Sequence, residues 1–442
     1  MPASLIIGAG FSGVATALHL ARAGAGAVTL VGRAASFGRG VAYGTTDPAH
    51  LLNVPAGRMG LQADDPGGFV EWLGRRGEAS HGPFVPRARY GDYLAAALAA
   101  ESGIRRVQGD AVAAERVAER WRVRLADGAA LDTDVLVLAT GNYPPARVPG
   151  LPDTATGTIA DPWAPGALAR VPATGRVLLV GTGLTMVDVA VTLAAGNPAR
   201  ALTAVSRHGL LPRAHRAPAT APTVGLDDAL NAELPAGRPA RALLHAFRSW
   251  LHAHPGVDWR DAIDALRART PALWRAWPLA EQRRFVRHLR AYWDVHRHRI
   301  APQVARRIDA LQAAGRLVVL AGRVGRVAVA ADGIDATIAL RGGAGRVDGR
   351  WSALVNCTGP DARLERLPDP LLRGLAEQGW LQQDPHGLGV QTDRDGRVLA
   401  RDGRPAPGLF YLGPLLRGDD WEATAVPELR ARAARIAAVV CG

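Results

Sequence analysis

A short apolar run, Ser4–Ile7, leads into Gly8, Gly10 and Gly13, after which residues 14–23 carry apolar positions at helical spacing. Another apolar stretch, Val28–Val31, follows at the distance expected for a second strand. Strand, glycine turn, helix and strand in that order open a Rossmann-type unit. The glycines allow a tight turn and close backbone approach, so that the helix N-terminus faces a pyrophosphate. Residues 122–125 and 134–139 then read as strands, the second closing in Ala139-Thr140-Gly141, and the Pro-, Gly- and Ala-rich residues 144–172 read as a linker.

The same grammar then recurs. Arg176–Val180 is a strand, Gly181-Thr182-Gly183 a turn, residues 184–195 a helix and Leu202–Val205 a strand, while residues 352–356 end in Cys357-Thr358-Gly359, the counterpart of the first Thr-Gly end. The second copy is longer because residues 214–317 read as inserted helices, with Trp250, Trp259, Trp274, Trp277 and Trp293 among Arg and Leu. Leu409–Leu412 is a late strand, Gly413 its turn, and a helix starts at Pro427 and runs to Val440. The pattern predicts an α/β protein of two Rossmann-like dinucleotide-binding domains with a helical insertion. Residues 1–165 form the first part of the first domain, 166–213 and 318–355 the second domain, 214–317 the insertion, and 356–442 a return to the first domain.

Composition removes several chemistries. Hydrophobic residues make up 48% of the 442 positions and charged residues 21%, enough for a large buried core. All 53 basic residues are arginine, which excludes Schiff-base lysines, pyridoxal-phosphate enzymes, Walker-type phosphate loops and kinases. With only Cys357 and Cys441 there is no adjacent redox thiol pair, so a flavoprotein disulfide reductase is excluded too. The net charge of +13 is spread along the chain, and its densest stretch, Arg283 to Arg299, sits at helical spacing among apolar residues, so no nucleic-acid partner is expected. The chain shows neither a basic leader nor an apolar run of about 18 residues, so a cytoplasmic protein with no membrane partner is expected.

GRGVAYGTTDPAHLLNVPAGRM, GTGLTMVD, SRHGLLP, RFVRHLRAYWDVHRHR, NCTGP and LGPLLRGDDWEATAVPELR together resemble a group of FAD/NAD(P)-binding flavoproteins with a glutathione-reductase-like fold. That group includes the aspartate N-monooxygenases that form nitrosuccinate. The resemblance implies FAD on the first turn (Gly8, Gly10, Phe11, Ser12, Gly13), with Arg39, Thr140 and Gly141 beside it. NADPH is implied on the second turn (Gly181, Gly183, Leu184, Thr185), with Thr358 and Gly359 at the matching strand end. Gly413 and the backbone donors of Thr424, Ala425 and Val426 belong to the flavin-binding ending of the fold, aimed at the flavin pyrimidine. Ser206-Arg207 stands where NADP enzymes place a hydroxyl and a guanidinium on the 2′-phosphate, which favours NADPH over NADH. Two positions depart from the pattern: Gly32 and Arg33 replace the acidic ribose contact, and Met186 replaces the third glycine, so its helix should stand farther from its strand.

Residues 40–59 correspond to the loop that related flavoproteins lay across the flavin. Asn53 and His50 are its candidate flavin-side residues, with Tyr43 packing nearby; for His50 the reading as a structural histidine on loop carbonyls is preferred. LQADDPGGFVEWL and FVPRARYGDYL look like the corresponding stretch of amino-acid N-hydroxylating monooxygenases, which places Gln62 alone near the flavin; Arg87 and Tyr93 read as fixing the helix to the sheet in preference to touching substrate. Arg287, Arg297 and Arg299 are candidates for a carboxylate substrate or for NADPH phosphates. No metal is expected, because His296 and His298 point to different faces of a helix and acidic ligands are sparse. The chemistry implied is hydride transfer from NADPH to FAD, then oxygen activation as a flavin C4a-hydroperoxide that N-hydroxylates a small amino acid or amine. The alternatives are an NADPH-dependent flavin dehydrogenase without oxygen insertion, and a non-catalytic FAD/NADPH redox sensor. Partners are then a small-molecule substrate and molecular oxygen.

Overall fold

The computed structural model describes residues 1–33, 37–78, 83–150, 157–216, 225–226, 230, 232 and 234–442. Parallel strands covered on both faces are near-continuous apolar runs, and Ser4–Ile7, Val135–Leu138 and Ala353–Asn356 are buried at every position. The first two sit at the centre of one sheet, and the third lies in another, between Arg176–Val180 and the short edge strand Thr158–Ile159.

The first sheet runs in the order Arg397–Leu399, Pro405–Tyr411, Val135–Leu138, Ser4–Ile7, Val28–Gly32, Ile104–Gln108, and only the Arg397–Leu399 edge is antiparallel. The second runs Arg346–Trp351, Gly333–Leu340, Leu317–Ala330, Ala201–Ser206, Arg176–Val180, Ala353–Asn356, Thr158–Ile159. Each centre repeats one plan. Ile6 lies between Leu30 and Val137, and Leu178 lies between Thr203 and Leu354. The helices Phe11–Arg22 and Leu184–Gly196 make the matching crossovers, close to the expected bounds.

The copies diverge in their meanders. In the first, Ala111–Val117, Arg120–Leu125 and Ala130–Thr133 form a separate three-stranded sheet. In the second, the 14-residue strand Leu317–Ala330 pairs parallel with Ala201–Ser206 and then continues antiparallel along Gly333–Leu340, so the meander stays in the main sheet. The segment read as a linker contributes Thr158–Ile159 to the second sheet's edge; its residues 151–156 lie outside the described residues.

The insertion contains the helices Ala240–Ala253, Trp259–Ala276, Leu279–His288 and Arg290–Arg297, while part of its expected span (217–224, 227–229, 231 and 233) lies outside the described residues. Its amphipathic faces meet in a core around Leu243, Phe247, Trp250, Ile263 and Leu273. The next helix, Pro302–Ala313, packs Val304, Ile308 and Leu311 with Val187 and Val191 in the second domain's core. The insertion leans on the C-terminal part of the first domain: the Trp274 and Trp421 rings are 4.8 Å apart, and Trp274 Nε1–H donates to the Gly418 carbonyl at 2.8 Å. No helix among the described residues is long and apolar enough to cross a membrane.

Candidate active site

The two glycine turns are built alike to within a few degrees. Gly8 has φ +112° and Gly181 φ +114°, a region that side chains rarely enter. A Cβ at Gly8 would fall 2.1 Å from the Ala139 carbonyl oxygen, and one at Gly181 would fall 2.3 Å from that of Cys357. The turns are therefore seated against the strand ends that carry Thr140-Gly141 and Thr358-Gly359. Gly10 and Gly183 then open helices with no side-chain cap and no acidic residue in the first turn. An uncapped, positive helix end in a turn lined by backbone is what a pyrophosphate requires. Phe11 and Ser12, and Leu184 and Thr185, form the first turns of those helices.

The departures have physical causes. A Cβ at Gly32 would stand 2.6 Å from Ala9 Cβ, so no side chain fits where the acidic residue is expected. Arg33, the next residue, donates from Nε to Asp110 Oδ1 at 2.6 Å, so a carboxylate stands beside this strand end but comes from just past the end of the neighbouring strand Ile104–Gln108. A Cβ at Gly13 would fall 1.7 Å from the Gly8 carbonyl oxygen. Met186 carries one at the equivalent position and is fully buried in the second core, which requires its helix to stand off.

A cavity opens where three parts of the chain meet. The loop after the second strand contributes Tyr43, Asn53, Val54, Pro55, Arg58 and Met59; Thr424–Val426 close one end; and His215, Asp264, Arg267 and Arg297–Arg299 form the far wall. The helix Val426–Cys441 starts here with Pro427 in its first turn. Thr424 N–H donates to the Glu422 carbonyl at 2.8 Å, so it is not the free donor expected from sequence; Ala425 and Val426 remain to face a flavin pyrimidine.

Charge in this wall is largely compensated from behind. Glu422, buried, accepts from Arg297 Nε at 2.5 Å and lies 3.8 Å from Arg267, which also pairs with Glu428. Burial holds the Glu422 carboxyl above its usual range despite the two guanidiniums. Arg299 pairs with Asp264. Arg58 is exposed and makes no ion pair among the described residues, so four guanidiniums face three carboxylates. Burial pushes His215 down to about 4 and His298 to about 3, so both rings are neutral at physiological pH.

Residues 5–143 match a family described as FAD-NAD(P)-binding. No curated protein matches the chain. In structure it is similar to the ornithine N-hydroxylase of Kutzneria sp. 744, solved with reduced FAD, NADP⁺ and L-ornithine, at 19% identity and TM-score 0.68 over 100% of this chain and 99% of that one. The L-lysine 6-monooxygenase of Pseudomonas syringae gives the same values, 19%, 0.68, 100% and 99%. The FAD-bound cadaverine monooxygenase of Erwinia amylovora matches at 14% identity and TM-score 0.69, over 99% of this chain and 94% of that one. The chain has the two-dinucleotide-domain flavoprotein fold.

Within this fold the sequence-derived candidates separate into groups. Asn53, Arg297, Arg299, Thr424, Ala425 and Val426 share the cavity. His50 does not line it: the buried ring bonds Thr45 Oγ1 at 2.7 Å and Thr192 Oγ1 at 2.8 Å, hydroxyls and not the loop carbonyls expected, and so ties the loop to the second domain's first helix. Arg87 reinforces that tie, with Nη2 2.8 Å from Asp188 and Nε donating to the Leu51 carbonyl. Gln62 is buried outside the lining, and Tyr93 O–H accepts from Leu61 N–H. Arg39 pairs with Asp92 at 2.5 Å. Gly413 follows Pro405–Tyr411 and precedes the short helix Pro414–Leu416.

Ser206 is held at the second glycine turn, its hydroxyl 2.8 Å from Thr182 Oγ1 and accepting from Gly209 N–H. Arg207 opens into a second, basic pocket with His208, Arg287, His288, Arg323 and Arg341. Arg287 thus belongs with Arg207 and not with Arg297 and Arg299. His208 Nδ1 in this pocket is buried without a partner. The histidines of this stretch sit apart: His288 in the basic pocket, His298 in the cavity, and His296 bonded to the Tyr292 carbonyl. Sequence reasoning missed Arg58, His215, Asp264 and Arg267, which lie on separate segments with no shared spacing.

Proposed function

We propose that the chain is an FAD- and NADPH-dependent N-hydroxylating monooxygenase whose substrate is an amine that also carries a carboxylate. The observation that carries this reading is the cavity itself, where the flavin-side loop, the free N–H groups of Ala425 and Val426, and a guanidinium-rich wall converge. FAD would lie on the Gly8–Gly13 turn and NADPH on the Gly181–Gly183 turn, with its 2′-phosphate against Arg207, Arg287, Arg323 and Arg341. These cofactors, when bound, supply the reducing electrons and the activated oxygen. The balance is amine + O2 + NADPH + H⁺ giving hydroxylamine, NADP⁺ and water.

The protein's own part is binding, exclusion and charge placement. The neighbours in fold act on ornithine, lysine and cadaverine, which bring a second cationic amine. Here Arg58 is left uncompensated in a wall whose other charges cancel, which disfavours a second cation and favours a carboxylate. Two neutral histidines leave room for an uncharged, nucleophilic amine. The test is mass spectrometry of products from a panel of amino acids and diamines with FAD-loaded protein, NADPH and oxygen. A product one oxygen heavier, formed in step with NADPH loss from a carboxylate-bearing amine, is expected. NADPH loss with no oxygenated product would instead give a dehydrogenase, and turnover confined to diamines would reject the carboxylate reading.

A further inference from the structure

We propose that His215 is the residue that receives the substrate's amino nitrogen, through the lone pair on Nδ1. The proposal rests on the N-hydroxylation reading above and goes beyond it by giving one side chain a direct contact with the reacting atom.

The tautomer is fixed by the backbone. His215 Nε2 lies 2.9 Å from the Asn53 carbonyl oxygen, which can only accept, so Nε2 carries the proton and Nδ1 carries the lone pair. Nδ1 has no protein partner among the described residues, and the ring lines the cavity. Its position is well held. The segment 213–215 is hydrogen-bonded to the strand-like end of the insertion, with His215 N–H donating to the Ile300 carbonyl and Ile300 N–H to that of Arg213. The ring packs against Phe84 at 4.9 Å. One side chain therefore ties the flavin-side loop, through Asn53, to the wall formed by Arg297–Arg299.

Both glycine turns and both Thr-Gly ends lie outside the connection from Ala201–Ser206 to Leu317–Ala330 that supplies this wall. Its polar groups therefore stand apart from the two pyrophosphate seats and are available to the substrate. His215 stands at the root of that connection.

The charges facing the ring explain why it works as an acceptor and not as a cation. Arg58 and Arg299 oppose protonation, Asp264 and the Asn53 carbonyl favour it, and burial outweighs all of them. A ring kept neutral offers a lone pair to an N–H of the amine, which leaves the amine's own lone pair free for oxygen. The ammonium proton goes to solvent before productive binding. As the N–O bond forms, with oxygen from O2 and electrons from NADPH, the nitrogen bears a positive charge, and the attached oxygen makes its N–H far more acidic than in the parent ammonium. That proton passes to Nδ1 and then to water. A weakly basic histidine is matched to this late proton and not to the early one. His298 also lines the cavity, but it lies 3.9 Å from Asp294 and no hydrogen bond fixes its tautomer.

Two substitutions separate the ring's two nitrogens. His215→Gln places an amide N–H near Nε2, keeping the Asn53 tie and removing the acceptor; His215→Asn places an amide oxygen near Nδ1, keeping the acceptor and removing the tie. FAD-loaded wild type and variants are titrated with L-aspartate and with succinate, its counterpart without the amine, following the flavin absorption. The expected result is that His215→Gln binds succinate like wild type and L-aspartate about tenfold more weakly, with His215→Asn restoring most of the loss. Equal weakening of both ligands, or of neither, overturns the proposal, as does a wild type that binds succinate and L-aspartate equally well. A wild type that binds neither ligand overturns the carboxylate reading on which the proposal rests, and the proposal with it.

Discussion

Replacing Gly181 by alanine perturbs the second nucleotide turn and leaves the first as an internal control. Two costs add. A side chain at φ +114° costs about 1–3 kcal/mol of backbone strain. The new Cβ also falls 2.3 Å from the Cys357 carbonyl oxygen, whereas ordinary contact begins at 3.4 Å, so the turn and the Thr358-Gly359 end must separate by about 1 Å. These two elements would cradle NADPH, and a misplacement of about 1 Å between reacting groups costs about 100-fold in rate. The assay is anaerobic stopped-flow reduction of the bound flavin by NADPH, with FAD content and NADP⁺ affinity measured on the same preparation. The expected outcome is normal FAD content with flavin reduction slowed at least about 100-fold. Reduction at the wild-type rate with unchanged NADP⁺ affinity would refute the argument. Loss of FAD with intact NADP⁺ binding would show that the two turns had been assigned the wrong way round.

Other perturbations reach other parts of the account. Glu422→Ala leaves Arg297 buried without its carboxylate and should cost about 3–5 kcal/mol in a urea denaturation followed by tryptophan fluorescence; a change below about 0.5 kcal/mol would mean that the pair is not buried in solution. His215 titrates near 4 in the folded protein and near 6.5 when unfolded, so the unfolded state takes up protons first and stability falls as pH drops from about 6.5 toward 4. At pH 5 its share of that loss is about 2 kcal/mol, and His215→Gln should reduce the pH dependence by that share in paired denaturation curves at pH 7 and pH 5, with the share of His298 remaining. Arg207→Ala removes a guanidinium from the basic pocket and should reduce the preference for NADP⁺ over NAD⁺ about 10- to 100-fold in equilibrium binding; an unchanged ratio would place the 2′-phosphate elsewhere.

What could be read from sequence followed from local rules. Gly8 and Gly181 are legible because a strand, a glycine and a helix occupy consecutive positions, and the helices starting at Phe11, Leu184 and Val426 fall within a few residues of their expected starts. The Thr-Gly ends are legible because each closes a buried apolar run. The rest of the cavity wall was not, because Arg58, His215, Asp264 and Arg267 are joined only by tertiary packing, and an arginine that lines a cavity has the same local pattern as one on a solvated helix face. Arg287 shows this directly: it shares the insertion with Arg297, yet it opens into a different pocket. His50 was ambiguous for a related reason. Its loop position suits a flavin contact, whereas the partner that holds its ring, the Thr192 hydroxyl, comes from a helix distant in sequence. The absent acidic residue at Gly32 is a steric consequence of Ala9, visible once both backbones are placed.

The central claim is that one chain holds a flavin and a phosphorylated nicotinamide nucleotide so that electrons pass between them. Anaerobic titration of the FAD-loaded protein with NADPH tests it most directly. The account predicts loss of the oxidised-flavin absorption at one equivalent of NADPH, with NADH much less effective. Protein that binds no FAD, or that binds it and stays fully oxidised under excess NADPH, would contradict it.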